Sequence, residues 1–240
     1  MLKYIAYQPF CPPTTNFFYH QPPILPNRPY FCTMDQPTRN QSILAKYIPG
    51  QAVPLISDWI LHFNFKLKIK KSRQSKYGDY RPPLPGLNHQ ITVNQDLNPY
   101  AFLLTLVHEI AHLLTQERYG NRVKPHGEEW KNSFKELMRP FMRLEIFPED
   151  VFHAIVGYMK NPAASSCSDD NLLRILKRYD KPGDFVHLET LPLHAVFVYN
   201  QRYFIKGQKI RKRYKCLEKD ARHVYLFAGL AEVKMVENVA

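Results

Sequence analysis

Apolar positions along this chain recur with two different periods. Between Ala52 and Phe65, Val53, Ile56, Trp59, Ile60 and Phe63 return every three or four residues, the spacing of one helix face. The next block, FNFKLKIKKS, alternates apolar with basic residues. That pattern predicts a strand with one face in a core and Lys66, Lys68 and Lys70 on the other. A turn-rich stretch, YGDYRPPLPGLN, leads to HQITVN, a second short strand expected to pair with the first in a small antiparallel sheet.

DLNP then reads as a helix start, with Asn98 as cap and Pro99 at the first helical position, and YAFLLTLVHEIAHLLTQERYG runs on to a stop at Gly120. Leu103, Leu106, Val107, Ile110, Leu113 and Leu114 form an apolar stripe roughly opposite His108 and His112. The expectation is one face in a core and the other free to line a cleft. EEWKNSFKELMRPFM reads as helical until Pro140, FPEDVFHAIVGYMK as helical with Pro148 near its start, and DDNLLRILKRYD as a further helix after Ser168.

The pattern changes near Pro182. From Phe185 onward the chain is rich in β-branched and aromatic residues and is broken by Gly207 and Gly229, which predicts a small antiparallel β appendage. The fold class is therefore α+β, a small antiparallel sheet beside a long helix, then further helices and a C-terminal β unit. Three regions follow: residues 1–33, with seven prolines and no acid, as an irregular extension; 34–181 as the main domain; and 182–240 as a basic, β-rich subdomain. Organised sequence begins at Met34, so residues 1–33 read as an extension or as the product of an upstream start. No internal repeat is present.

Composition narrows the class. With 45% hydrophobic and 22% charged residues, the chain is neither disordered nor fibrous. Lys and Arg number 33 against 21 Asp and Glu, a formal +12, which favours polyanionic partners such as nucleic acid, against the plainer reading of a solvated basic surface. Cys11, Cys32, Cys167 and Cys216 make no CxxC pair, which argues against a cysteine-rich zinc finger or a disulfide framework and for reduced thiols. No apolar run reaches the ~20 residues of a membrane span, and MLKYIAYQPFCPP lacks the apolar centre of a secretory signal. The expected setting is cytoplasmic, at the nucleoid if DNA is bound.

The candidate chemistry lies in HEIAHLLTQERYGNRVKPHGEEW, residues 108–130. Histidines four apart on a helix project from one face, so His108 and His112 can bind one ion, and Glu109 beside them stands where a general base acts on water. A third ligand is needed. His126 in KPHG is the choice, after a loop with Gly120 and Pro125, and Glu128, Glu129 and the more distant Glu136 are the alternatives. Thr115 and Arg118 stand where a metzincin has Gly and His, which excludes that class. Tyr80, Tyr100, Tyr119 and Arg122 are oxyanion donors by sequence proximity only. The seven other histidines read as ordinary surface or core residues.

HEIAH followed by a short loop and HGEEWK resembles the SprT-like (Spartan-type) family, and the likeness runs from about Ile43 to Met142. It implies a zincin-like metallopeptidase in which His108, His112 and His126 hold one zinc ion and Glu109 activates water. It also implies proteins bound or crosslinked to DNA as substrates, with DNA, single-stranded or crosslinked, as partner and activator. One departure stands out. Many such proteins end in a zinc ribbon with paired cysteines, whereas only Cys216 is available here, so the C-terminal unit is expected to be a degenerate ribbon or something unrelated, with no second zinc.

Candidate nucleic-acid contacts are Lys68, Lys70, Lys71 and Arg73 in one basic stretch and Lys209, Arg211, Lys212, Arg213 and Lys215 in another, where Lys206, Lys219 and Arg222 also lie among Tyr203, Phe204, Tyr214 and Tyr225. The leading alternative is a nucleic-acid-binding protein whose zinc site is structural or idle. A metal-dependent hydrolase of a non-peptide substrate is the third reading, and Mn or Co could replace zinc at histidine ligands.

Overall fold

The computed structural model describes residues 36–73, 76–143, 145–162 and 169–236, so the proline-rich residues 1–33 lie outside it. It opens with α1 (Gln36–Leu44), which no periodicity announced, followed by α2 (Val53–His62). Helix α2 ends where Asn64 takes a left-handed φ of 47° and turns the chain into β1 (Phe65–Lys70).

Strand β1 joins β2 (Gly78–Arg81) and β3 (His89–Asn94) in a sheet of order β1-β3-β2. This corrects the antiparallel expectation: β1 runs parallel to β3, with Leu67 opposite Ile91, while β2 is antiparallel to β3, with Tyr80 opposite Ile91. The unforeseen β2 takes the near side of β3, and β1 is left with the far side. Asn94 fastens the crossing connection. Its Nδ2 donates to the Arg73 and Lys76 carbonyls at 3.2 and 3.0 Å, and its Oδ1 accepts from Arg73 Nε at 2.9 Å.

Helix α3 (Pro99–Tyr119) starts as its sequence implies, with Asn98 Oδ1 accepting from the Tyr100 and Ala101 amides at 3.1 and 3.0 Å. Its two-faced reading fails. Every residue from Ala101 to Thr115 except His112 is buried, because β2 and β3 cover one side and α4 (Glu128–Met138) another. Trp130, Phe134, Phe102 and Phe141 complete the core with the leucines of α3; each such side chain contributes about 1.5–3 kcal/mol by leaving water. Helices α5 (Glu149–Met159) and α6 (Asp170–Lys177) follow, α6 capped by Asp169.

The C-terminal strands β4 (Val186–His187), β5 (Val196–Tyr199), β6 (Arg202–Ile210), β7 (Arg213–Glu218), β8 (Val224–Ala228) and β9 (Glu232–Met235) form an antiparallel sheet of order β4-β9-β5-β6-β7-β8. Leu188, Leu191, Phe197, Phe204, Val233 and the thiol of Cys216 make its separate core. Arg174 of α6 grips Glu189 through two nitrogens at 2.8 and 3.1 Å, and Lys177 pairs with Glu232. Among the described residues no helix is long and apolar enough to cross a membrane.

Candidate metal centre

Three histidines meet between α3 and the loop before α4. Spacing alone puts His108 and His112 one turn apart on α3. His126 arrives through a tight turn in which the Gly127 amide donates to the Lys124 carbonyl at 2.9 Å, with Pro125 and His126 at the centre. Proline at the second position and a positive φ at the third define a type II turn, whose third residue is ordinarily glycine; here it is His126, at φ 59°. A fork from Arg118 on α3 to Glu136 on α4, at 2.7 and 2.9 Å, holds the two helices in register. The result is that one nitrogen from each imidazole lies within 4.8 Å of the others.

The cluster fits a metal ion. Imidazole ligands at ~2.0–2.1 Å in tetrahedral geometry stand ~3.3–3.4 Å apart, and His108 Nε2 and His126 Nε2 are separated by 3.3 Å. A ligand nitrogen must also carry no proton. Burial, and then the neighbouring His112 and His126, push His108 down to about 2; burial and His126 push His112 to about 4; burial lowers His126. All three shifts favour the unprotonated form that a ligand needs. His108 faces His126 through Nε2, and its Nδ1, like the indole Nε1 of Trp130, is buried without a hydrogen-bond partner among the described residues. Trp130 is the floor of the cluster, its ring 4.6, 5.4 and 4.7 Å from those of His108, His112 and His126.

Glu109 is buried at 7% exposure and does not join the histidines. Its carboxylate lies against Gly78 of β2. Burial, reinforced by the charge of Asp79 and opposed by Lys76, Arg73 and the Tyr80 amide, raises it to about 8. A divalent cation nearby would pull that value down. Tyr80 stacks on His112 with the planes 5° apart, and its Oη shares a 2.9 Å hydrogen bond with His89 Nδ1.

Of the other residues singled out in the sequence, Tyr80 alone among the four oxyanion candidates contacts a member of the cluster. Tyr100 packs on Phe147 and Tyr179 near the start of α3, and Arg122 bonds back to the Tyr119 carbonyl. Glu128 is occupied by Lys131 and Glu136 by Arg118, while Glu129 lies beside Gly127, so His126 completes the set. Lys70, Lys71, Lys209, Arg211, Lys212, Arg213 and Lys215 are exposed and Lys68 is half-buried, but Arg73 is turned inward onto Asn94. Lys206 is no phosphate contact: it is buried, its ammonium on the Glu189 and Leu191 carbonyls and over the Tyr214 ring at 4.4 Å. The sequence reading missed three contributors. Trp130 was legible as the W of HGEEW, whereas Gly78 and Asp79 on β2 had no local signal.

With this geometry in hand, comparison with known proteins gives a consistent result. Residues 60–153 match the model of the SprT-like family, the family that the paired motifs resemble. The chain is similar to Protein SprT of Vibrio parahaemolyticus, 51% identical over 53 residues, which is 20% of this chain and 32% of that protein. It is also similar to Protein SprT of Pseudomonas fluorescens and of Pseudomonas aeruginosa, each 52% identical over 27 residues, 11% of this chain and 16% of theirs. The matches thus span about a third or less of these relatives' length. No solved structure matches.

Proposed function

We propose that this chain is a zinc-dependent metallopeptidase of zincin-like arrangement, with one ion held by His108, His112 and His126 and with Glu109 as general base. The observation that carries the reading is the placement of Glu109. It is buried next to His108 in sequence, withheld from the ligand set, and packed against Gly78 of β2. A structural metal site has no use for such a carboxylate. Three protein ligands also leave one tetrahedral position free, the mark of a catalytic site.

When bound, zinc supplies Lewis-acid polarisation of a carbonyl. The chain's own part is proton handling and orientation: Glu109 takes the proton of the attacking water on its carboxylate and passes it to the leaving amine. Among the described residues strand β2 is an edge of its sheet, a position at which an extended peptide can add as a further strand. That favours a peptide over a small hydrolysable substrate. The family resemblance extends the reading to proteins held on DNA, and the exposed Lys70, Lys71, Lys209, Arg211, Lys212, Arg213 and Lys215 supply charge for phosphates.

The test is cleavage of a basic protein substrate by zinc-loaded wild type and Glu109→Gln, with and without single-stranded DNA. Cleavage by wild type alone, stimulated by DNA, is expected. Equal retention of zinc and DNA by both proteins with no cleavage by either would move the assignment to a nucleic-acid-binding protein with an idle site.

A further inference from the structure

We infer that Gly78 is a positioning residue for Glu109: strand β2 carries a notch, one Cβ in size, in which the carboxylate is seated. The kinetic consequence rests on the peptidase reading, and the packing consequence does not. Gly78 has no positive φ, so its backbone does not require glycine. Space does. A Cβ at this position would lie 2.5 Å from Glu109 Oε1, 2.8 Å from Glu109 Cγ and 2.8 Å from Thr105 Cγ2.

The three contacts are not equally yielding. Thr105 stands one helical turn before Glu109, is 4% exposed, and is β-branched with few rotamers open to it in a helix. Glu109 is the flexible partner, so an added methyl displaces the carboxylate or lifts β2 off α3. Both movements change where the carboxylate stands relative to β2. A glycine weakens a strand by its backbone freedom and by the packing it omits. At Gly78 that weakness is countered by Asp79, which pairs with Lys76 at 2.6 Å and Arg81 at 3.1 Å and holds the chain to either side.

Misplacing a catalytic group by ~1 Å can cost ~100-fold in rate. Gly78→Ala is therefore expected to lower kcat about 100-fold with KM within about 3-fold, while bound zinc stays at the wild-type ratio. A second readout is independent of catalysis: the loss of Tm caused by Gly78→Ala, measured with Glu109 present and in a Glu109→Ala background. Removing the glutamate side chain vacates two of the three contacts, so the Tm loss should shrink by at least half.

If Gly78→Ala alone fails to fold, its recovery in the Glu109→Ala background supports the notch, and failure in both overturns it. Equal Tm losses in the two backgrounds, or an unchanged kcat, would also overturn it. Absence of peptide cleavage by wild type would remove the peptidase reading instead, and the Tm comparison would still judge the notch.

Discussion

Lys206 in the C-terminal sheet and His108 on α3 are buried to similar degrees, 4% and 6% exposed, yet the chain treats them in opposite ways. The ammonium of Lys206 finds the Glu189 and Leu191 carbonyls and the face of Tyr214. His108 keeps Nδ1 unpartnered, sits over an indole whose N–H is also unpartnered, and turns Nε2 toward a second imidazole. Burying a polar group without a partner costs about 1–3 kcal/mol. A fully paired buried charge is therefore what structure alone needs, whereas His108 shares its place with two further imidazoles, one nitrogen of each within 4.8 Å of the others, a grouping that suits an ion. The SprT-like match, residues 60–153, encloses the open site and excludes the closed one.

The largest break in this contrast comes from the site. His126→Gly should abolish tight zinc binding and lower peptide hydrolysis by about 10³-fold or more, since one of three ligands and the ion are lost together. Its effect on the metal-free fold should be small or favourable, because glycine suits the left-handed position that His126 occupies at φ 59°. Metal content and metal-free Tm check the two halves, and a metal-free Tm well below wild type would mean that the histidine serves the fold. Trp130→Ala comes next. Removing a fully buried indole should cost about 3–5 kcal/mol in urea unfolding, and should weaken zinc binding because the ring supports all three histidines.

How far the sequence could have led follows the same division. The juxtaposition of His108 with His112 and the cap at Asn98 depend on neighbours within one or two helical turns, so spacing sufficed. The His126 loop was legible too, since Pro125 and Gly127 frame a turn. Strand β2 was hidden because Gly78 and Asp79 are poor strand formers, present for contacts with α3 and the neighbouring cations rather than for local propensity. The parallel pairing of β1 with β3 was hidden for the same reason. The all-round burial of α3 depends on β2, β3 and α4, which no helical stripe can report. Lys206 had a readable signal: period two places it on the face of Phe204, toward the core, and its charge outweighed its position in the sequence reading.

Lys206→Met sharpens the comparison from the structural side. It leaves the Glu189 and Leu191 carbonyls without their donor, so the cost should be about 1–3 kcal/mol of stability, with zinc stoichiometry and the hydrolysis rate unchanged. A fall in either would mean that the two regions are coupled more tightly than their separate cores imply.

The smallest effect is expected where the regions join. Arg174 holds the Glu189 carboxylate below its usual 4.5, chiefly through its hydrogen bond and against the opposing effect of burial. A carboxylate lowered on folding contributes stability above its unfolded value, and loses it as pH falls through the folded one. Arg174→Met should therefore destabilise by at most about 1 kcal/mol at pH 7, since the pair is 41% and 21% exposed. The difference between wild type and variant should close as the pH falls below 4.5 and Glu189 takes up its proton. Urea midpoints at pH 7, 5 and 3 measure it. A difference that stays constant with pH would assign the effect to the packing of the arginine stem, and the junction would then owe its stability to contact area rather than to charge.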